Sequence, residues 1–275
     1  MAQEAYELLN NELTSENDVN NCQLLVGNAW KKTSKILFKN EIGELKEFSE
    51  YLKPAAIGQF FTSSFSDNKV WLASEEYNKK AKFFDYDEEL SRFNQKTSSK
   101  PLDIDKIKDI DSILEAVKER LMYAGGKVLG NSKFVEDSDA IIDSTGVINS
   151  SILIKSKYIA YSYLLQNSEY TFGATSSGQC AYIIRCFYNN SLTRCFECST
   201  SVKSSDCYFS YNLIGCSDCL FSFNLRAKRN MIGNIQMPKD RYNEIKSKLI
   251  SEIADELKEK KMCKVSILDL IGVGS

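Results

Sequence analysis

Histidine is absent from this 275-residue chain. No Ser-His-Asp or Cys-His catalysis can be built, no imidazole can hold a metal, and the usual side-chain switch near neutral pH is missing. The absence also counts against acyltransferases on left-handed β-helices, which generally use a histidine base. Charge of one sign is scarce too. Lys plus Arg is 35 and Asp plus Glu is 37, leaving −2, so no basic excess points to a nucleic-acid partner. No apolar run approaches the roughly eighteen residues of a membrane span. The opening MAQEAYELLNNEL carries acids and no basic residue ahead of an apolar run, unlike a secretory signal. The expectation is therefore a cytoplasmic chain with reduced thiols, and neither a membrane nor nucleic acid as partner. Glycine-rich phosphate loops are missing as well. AGGKVLGNS lacks the GK[ST] pattern and reads as a helix C-cap and loop.

What is present is a repeat. From about Tyr158 to Gln236 the chain reads YIAYSYLLQNSE, YTFGATSSGQCA, YIIRCFYNNSLT, RCFECSTSVKSS, DCYFSYNLIGCS, DCLFSFNLRAKR and NMIGNIQ, a period of twelve. One column holds Ile159, Thr171, Ile183, Cys195, Cys207, Cys219 and Met231. The next holds Ala160, Phe172, Ile184, Phe196, Tyr208, Leu220 and Ile232. A third is nearly all small: Ser162, Ala174, Cys186, Cys198, Ser210, Ser222 and Asn234. Self-similarity at a fixed short period signals a solenoid, and twelve residues are too few for a helix pair. Aromatic and β-branched residues suit strands, and Ser, Asn and Gly suit corners. The fold class is mostly β: a parallel β-helix rather than a β-sandwich, because sandwiches do not keep residue-exact register.

Two coil sizes fit. One block per turn gives a thin coil with little interior. Two blocks, twenty-four residues, give a wider coil, and the bulk of Phe172, Phe196 and Tyr208 favours that choice. Counting back by twelve from Ile159 reaches Val147 and Val135, so the solenoid is expected to begin in degraded form near Phe134.

The flanking segments divide the chain into an N-terminal α+β region at 1–100, a helix and linker at 101–133, the solenoid at 134–236, and a capping helix with an apolar tail at 237–275. A short helix is expected at 3–13. LLVGNAW and SKILFK look like strands. Residues 41–52 put Ile42, Leu45, Phe48 and Leu52 on one helical face, stopped by Pro54. GQFF, VWLA and KFFDY read as strands or buried loop, and FNQKTSSKPLD, 93–103, as a linker. Asp111 or Ser112 can cap a helix carrying Ile113, Leu114, Val117 and Leu121, ended by Gly125-Gly126. Pro238 is placed to start a helix whose stripe is Tyr242, Ile245, Leu249, Ile253 and Leu257. KEKK at its end suits a helix C-terminus.

The run from Asp218-Cys219 through Asn224-Leu225-Arg226 and Lys228 to Lys239 and Tyr242 resembles cysteine- and aromatic-rich repeat proteins of uncultured bacteria and archaea. The resemblance covers roughly the last 110 residues, by the same period. It implies a repeat fold and no activity. Relatives often carry paired CxxC near the N-terminus, which this chain lacks.

Nine cysteines are present, seven of them between Cys180 and Cys219. Cys195-x-x-Cys198 with Cys216-x-x-Cys219 has the spacing of a four-cysteine zinc site. The repeat alone also explains the spacing, since Cys195 and Cys219 share a column two blocks apart. With one block per coil they stand about 9.6 Å apart, too far for one tetrahedral ion; with two blocks per coil they are neighbours and a site is possible. The reading adopted is buried structural thiols and no cofactor, with a zinc-stabilised solenoid as an alternative. Glu197, Asp206 and Asp218 are candidate acids for cleaving a sugar chain, and Arg185 and Arg194 candidate groups for an anionic sugar. Corner solvation accounts for Asp206 and Asp218 more simply.

The expectation is a non-catalytic scaffold or protein-interaction solenoid. A polysaccharide-binding or polysaccharide-cleaving β-helix is the alternative, to be recognised by a groove of converging carboxylates and aromatics; a smooth face of Ser, Thr and Asn favours the scaffold. Val265, Ile267, Leu270, Ile271 and Val273 must find cover. Either the tail folds back on its own N-terminal region as a strand, or it lies against a second copy in a two-fold homodimer.

Overall fold

The computed structural model describes residues 21–272 except 79, 100, 101 and 119. The helix expected at 3–13 and Val273 lie outside the described residues.

The fold is a parallel β-solenoid of about nine turns with a small N-terminal α/β region and a C-terminal helix. Its building rule is finer than twelve residues. From Phe134 to Gly233 every third residue has a positive φ, without a break. The left-handed region costs a non-glycine residue about 1–2 kcal/mol. Only Gly146, Gly173, Gly215 and Gly233 in this series are glycine, so the step is imposed by stacking rather than coded by glycine. Four such steps close one coil. Neighbouring strands pair twelve residues apart, as in Lys157↔Glu169, Ile159↔Thr171 and Ala160↔Phe172.

The coil is therefore twelve residues, not twenty-four. The expected larger coil came from placing aromatic bulk inside. Each three-residue step sends one side chain in and two out. The inward series is aliphatic, small or thiol: Ile141, Ser144, Val147, Ser150, Leu153, Ser156, Ile159 and Ser162 are all buried. Aliphatic and small residues alternate, which fills a narrow square interior. Phe172, Phe196 and Tyr208 follow the inward positions and face out, into a second core made with the helices.

The small inward residues also close the hydrogen-bond ladder. Ser150 Oγ donates to the carbonyl of Ile148 at 2.8 Å and accepts the Ser162 N–H one coil on at 3.1 Å. Ser138 serves the Ser150 N–H, and Ser162 the Ala174 N–H, in the same way. On the opposite corner Ser144 and Ser156 do so for Ser156 and Ser168. Where the chain turns through a left-handed residue, a serine hydroxyl replaces the missing backbone acceptor. A buried N–H thereby keeps its partner.

Helix α1, Cys22–Phe38, lies along the stack. LLVGNAW and SKILFK are thus one helix, not two strands. Asn21 caps it by accepting the Leu24 N–H, and Val26, Trp30, Thr33 and Leu37 form its buried face. Its 17 residues span about 25 Å at about 1.5 Å each, which matches about five coil spacings of about 4.8 Å. Cys22 reaches the carbonyl of Val147, and the Tyr208 hydroxyl reaches the carbonyl of Leu37, five coils further on. Trp30 packs its edge against Phe172 at 5.2 Å, and Phe38 against Phe196 at 5.0 Å.

The apolar face expected at 41–52 is present and buried, on a 3-10 turn Leu45–Phe48 and a helical turn Ser49–Leu52. GQFF, VWLA and KFFDY contain strands β1 (Gln59–Thr62), β2 (Lys69–Leu72) and β3 (Phe83–Asp85). Helix α2, Tyr86–Ser98, occupies the first part of the expected linker. Helix α3 runs Ile110–Val117 and is capped by Asp109, two residues before the expected cap. Gly125 is not a helix cap. It ends strand β4, Tyr123–Gly125, which pairs with β3, and a Cβ there would stand 2.5 Å from the Trp71 carbonyl oxygen. Asp139, in the first coil, accepts from the backbone amides of Ala73 and Lys127 and pairs with the Lys127 ammonium, tying this region to the solenoid.

Helix α4, Lys239–Lys260, starts after Pro238 as expected. It lies beside α1, with Tyr242, Ile250, Ala254 and Leu257 buried in the shared core. The tail forms no strand. It makes one helical turn, α5 (Ile267–Leu270), whose Ile267 is buried against Phe187 and Ala55 of the same chain. The last coil carries exposed Arg226, Lys228 and Arg229. Lys228 stands in an inward column, and Ile235–Gln236 turns back to pair antiparallel with Arg229–Ile232, covering part of the last strand's edge. Among the described residues no helix is long and apolar enough to cross a membrane.

The serine ladder makes a stability prediction. In urea unfolding, Ser150→Ala should lose about 1–3 kcal/mol, because the buried Ser162 N–H loses its acceptor. Unchanged stability would mean the hydroxyl is not part of the ladder.

Candidate functional site

The candidate carboxylates are each matched with a cation. Asp206 accepts from Arg194 through both oxygens, at 2.8 and 2.6 Å. Asp218 takes the Lys246 ammonium at 2.8 Å, from helix α4. Arg185 and Glu197, successive in one outer column, form an ion pair at 2.8 Å, although the Arg185 Nε–H is not aimed at the oxygen. The pairs that sequence spacing suggested as acid and base are therefore held as ion pairs. They do not converge on a groove.

Glu197 is the most enclosed of them, with no exposed surface. One carboxylate oxygen accepts the Tyr51 hydroxyl at 2.6 Å. The other accepts the Ser266 hydroxyl at 3.0 Å and the Ile267 amide at 2.8 Å. Arg185 lies over the Tyr51 ring at 4.4 Å and donates to the Tyr51 carbonyl. Burial pushes the Glu197 carboxyl up, while Arg185 and then these hydrogen bonds pull it down. Arranged this way the group fastens α5 and the Tyr51 segment to the solenoid. A buried pair with every acceptor filled is a fastening, and removing one partner leaves a buried charge. No sequence signal joins Tyr51 or Ser266 to Glu197, which lie 146 and 69 residues away.

The seven cysteines of the repeat point inward, while Cys22 and Cys263 lie in the outer core. Cys195, Cys207 and Cys219 share one column, Cys186 and Cys198 a second, Cys180 and Cys216 a third, and all nine cysteines are buried and unbridged. With a twelve-residue coil, Cys207 stands between Cys195 and Cys219, in register with Cys219. The two CxxC pairs are thus split by a coil, as the one-block coil requires and the favoured two-block coil did not. Among the described residues no three Cys, Asp or Glu gather as a metal would require. The thiols act as small apolar side chains. They also donate weakly to carbonyls: Cys198 to Cys207 at 3.3 Å, and Cys207 to Ser205 at 3.1 Å.

The surface feature that stands apart is α3. Asp109 accepts the Ser112 N–H at 2.8 Å and Ser112 returns the contact, a complete capping box. Ile110, Ile113, Leu114 and Val117 stand at the i, i+3, i+4 and i+7 positions of one face. None of the helix is buried: Ile110 is 75% exposed and Leu114 52%. Ile104 and Leu121 extend the apolar surface beyond both ends, at 78% and 59%. The apolar spacing was readable in the sequence; its exposure was not, because the same pattern ordinarily faces a core.

Burial pushes the thiols of Cys22, Cys180 and Cys263 up to about 12. The thiolate is the reactive form. All nine thiols are buried, so at pH 8 an aromatic disulfide reagent should release almost nothing from the native protein and react with nine thiols once the chain is unfolded. Fast reaction of any thiol in the folded protein would contradict that burial.

No family model matches the chain, and comparison with curated proteins and with solved structures gave no match either.

Proposed function

We propose that this chain is a non-catalytic β-solenoid that works as a protein-interaction module, with α3 as the docking element. The observation that carries the reading is a capped amphipathic helix whose apolar face meets no core. Ile110 and Leu114 are exposed and Ile113 and Val117 half-buried, and this costs stability that burial against a partner would return, at about 1.5–3 kcal/mol for each side chain taken from exposed to fully buried. Anchors at i, i+3, i+4 and i+7 are the pattern by which a helix seats in an apolar groove of another protein. The partner chemistry is therefore a hydrophobic groove one helix wide.

The rest of the molecule supports a scaffold. The uncovered face of the solenoid presents Gln166, Asn167, Gln179, Asn190, Thr200 and Asn224 to solvent, interrupted by exposed Leu164, Tyr188 and Ile214 and without converging acids. The acids of the repeat are ion-paired, and the thiols lie inside. Solenoids offer such rigid faces for assembly.

Affinity capture from the source cells tests the reading, run in parallel with the natural chain and the double variant Ile110→Asp, Leu114→Asp. Both changes fall on exposed positions and leave the capping box intact, so the fold should persist by circular dichroism. A protein retained by the natural chain and lost with the variant is expected. Identical retention by both would overturn the assignment of α3.

A further inference from the structure

A second feature is a cavity of about 250 Å3 between the N-terminal region and the second and third coils. Its walls are Lys53, Ile57, Trp71, Glu75, Asn149 and Tyr161. They come from three places: the segment after the helical turn at Ser49–Leu52, the end of the β1–β2 hairpin, and one outer column of the solenoid. Asn149 and Tyr161 are that column's members in successive coils, both in the left-handed conformation. The cavity therefore exists only because the hairpin is docked on the coils.

The Trp71 indole lines the cavity and is held in place. Its Nε1–H donates to Ser151 Oγ at 2.8 Å, so the indole N–H is already used. Phe60, from β1, meets the indole at 83° with centroids 5.0 Å apart and does not line this cavity, so it supports the ring from the other side. Gly58 lets the chain pass close: a Cβ there would stand 2.7 Å from Trp71 Nε1, and its φ of +141° suits glycine. Tyr161 supplies a second half-buried aromatic wall.

The polar groups are few and of mixed kind. Lys53 donates, Glu75 accepts, and the Asn149 amide, which already donates to the Tyr161 hydroxyl oxygen, keeps its carbonyl and second N–H, while that hydroxyl can still donate. Lys53 and Glu75 offset each other in charge and sit exposed at the mouth. A small concave site with aromatic faces and a few mixed donors and acceptors is the pattern of a specific ligand pocket. The volume lies under the roughly 300–1,000 Å3 of drug-sized sites, so one ring fits. An aromatic face is electron-rich and attracts the slightly positive C–H edge of an apolar ring face. A neutral ring with C–H groups on its faces and hydroxyls around its rim matches each wall.

We infer that this cavity binds a single neutral pyranose, free or as one unit of a glycan. The site is separate from the α3 face and from the ion-paired acids, and neither reading needs the other. It is a binding site, with no acid–base pair aimed into it.

The chain has two tryptophans, and Trp30 is fully buried in the core, so Trp71 reports on the cavity. Emission of a Trp30→Phe protein is followed while glucose, galactose, mannose and N-acetylglucosamine are added, with saturation-transfer NMR on the natural chain as a second readout. A saturable change with at least one of these sugars is expected. It should weaken about three- to tenfold in Asn149→Ala and in Glu75→Gln, each of which removes one hydrogen bond. Tighter binding of the matching tetrasaccharide would assign a glycan, and equal binding the free sugar. Three results would overturn the inference: no saturable response to any sugar by either readout, an undiminished response in both variants, or a response to glycine or lysine zwitterions in place of sugars.

Discussion

A left-handed residue at every third position governs this molecule. Each turns the chain, and four of them close a coil of twelve. Isolated, such a residue is unfavourable by about 1–2 kcal/mol. Stacking makes it tolerable, because each coil's N–H and C=O groups bond to the coils above and below, as Tyr161 N–H does to Ile148 and Gly173 N–H to Ala160. The interior is then too narrow for aromatics, so it takes Ser, Cys, Leu, Ile and Val. The large rings are driven outward, and something must cover them. Helices α1 and α4 do so, which is why the N- and C-terminal segments share a core with the repeat. Like rings stack along the outer columns: Phe209 lies over Phe221 at 5.0 Å and 2°, and Tyr170 over Tyr182 at 4.8 Å.

The same constraint decides where chemistry can sit. Inward positions are sealed, so the seven thiols of the repeat lie buried, and their zinc-like spacing falls on separate coils. Outer positions under helices are fastenings, as Glu197 shows. Only outer positions that escape cover, and the N-terminal region docked on the first coils, remain for recognition. The α3 face lies ahead of the repeat, and the cavity at Trp71 lies where the N-terminal region meets the outer column of Asn149 and Tyr161.

The period of twelve was legible because like residues recur in columns, and the β-solenoid followed from it. The step of three was not. Its left-handed positions include Ile152, Leu164, Tyr158, Phe209 and Lys203 alongside Asn and Gly, so no residue type marks it. That gap produced the wrong coil size, because without the step Phe172 and Phe196 could not be placed outside. LLVGNAW looked like a strand from its β-branched and aromatic content, yet Val26, Trp30, Thr33 and Leu37 keep helical spacing; tertiary cover overrode propensity. In the apolar tail Ser266 caps a helical turn that buries Ile267 against the chain's own Phe187, while Val265 and Leu270 stay exposed. The partners of Glu197 and the exposure of α3 were beyond reach, since both depend on contacts between distant segments.

Backbone chemical shifts and three-bond HN–Hα couplings of isotope-labelled protein test the three-residue step most directly. Positive φ should appear at every third residue from Phe134 to Gly233, with extended residues between. Extended runs of four or more residues between turns, as a wider coil or a sandwich would have, would contradict the account.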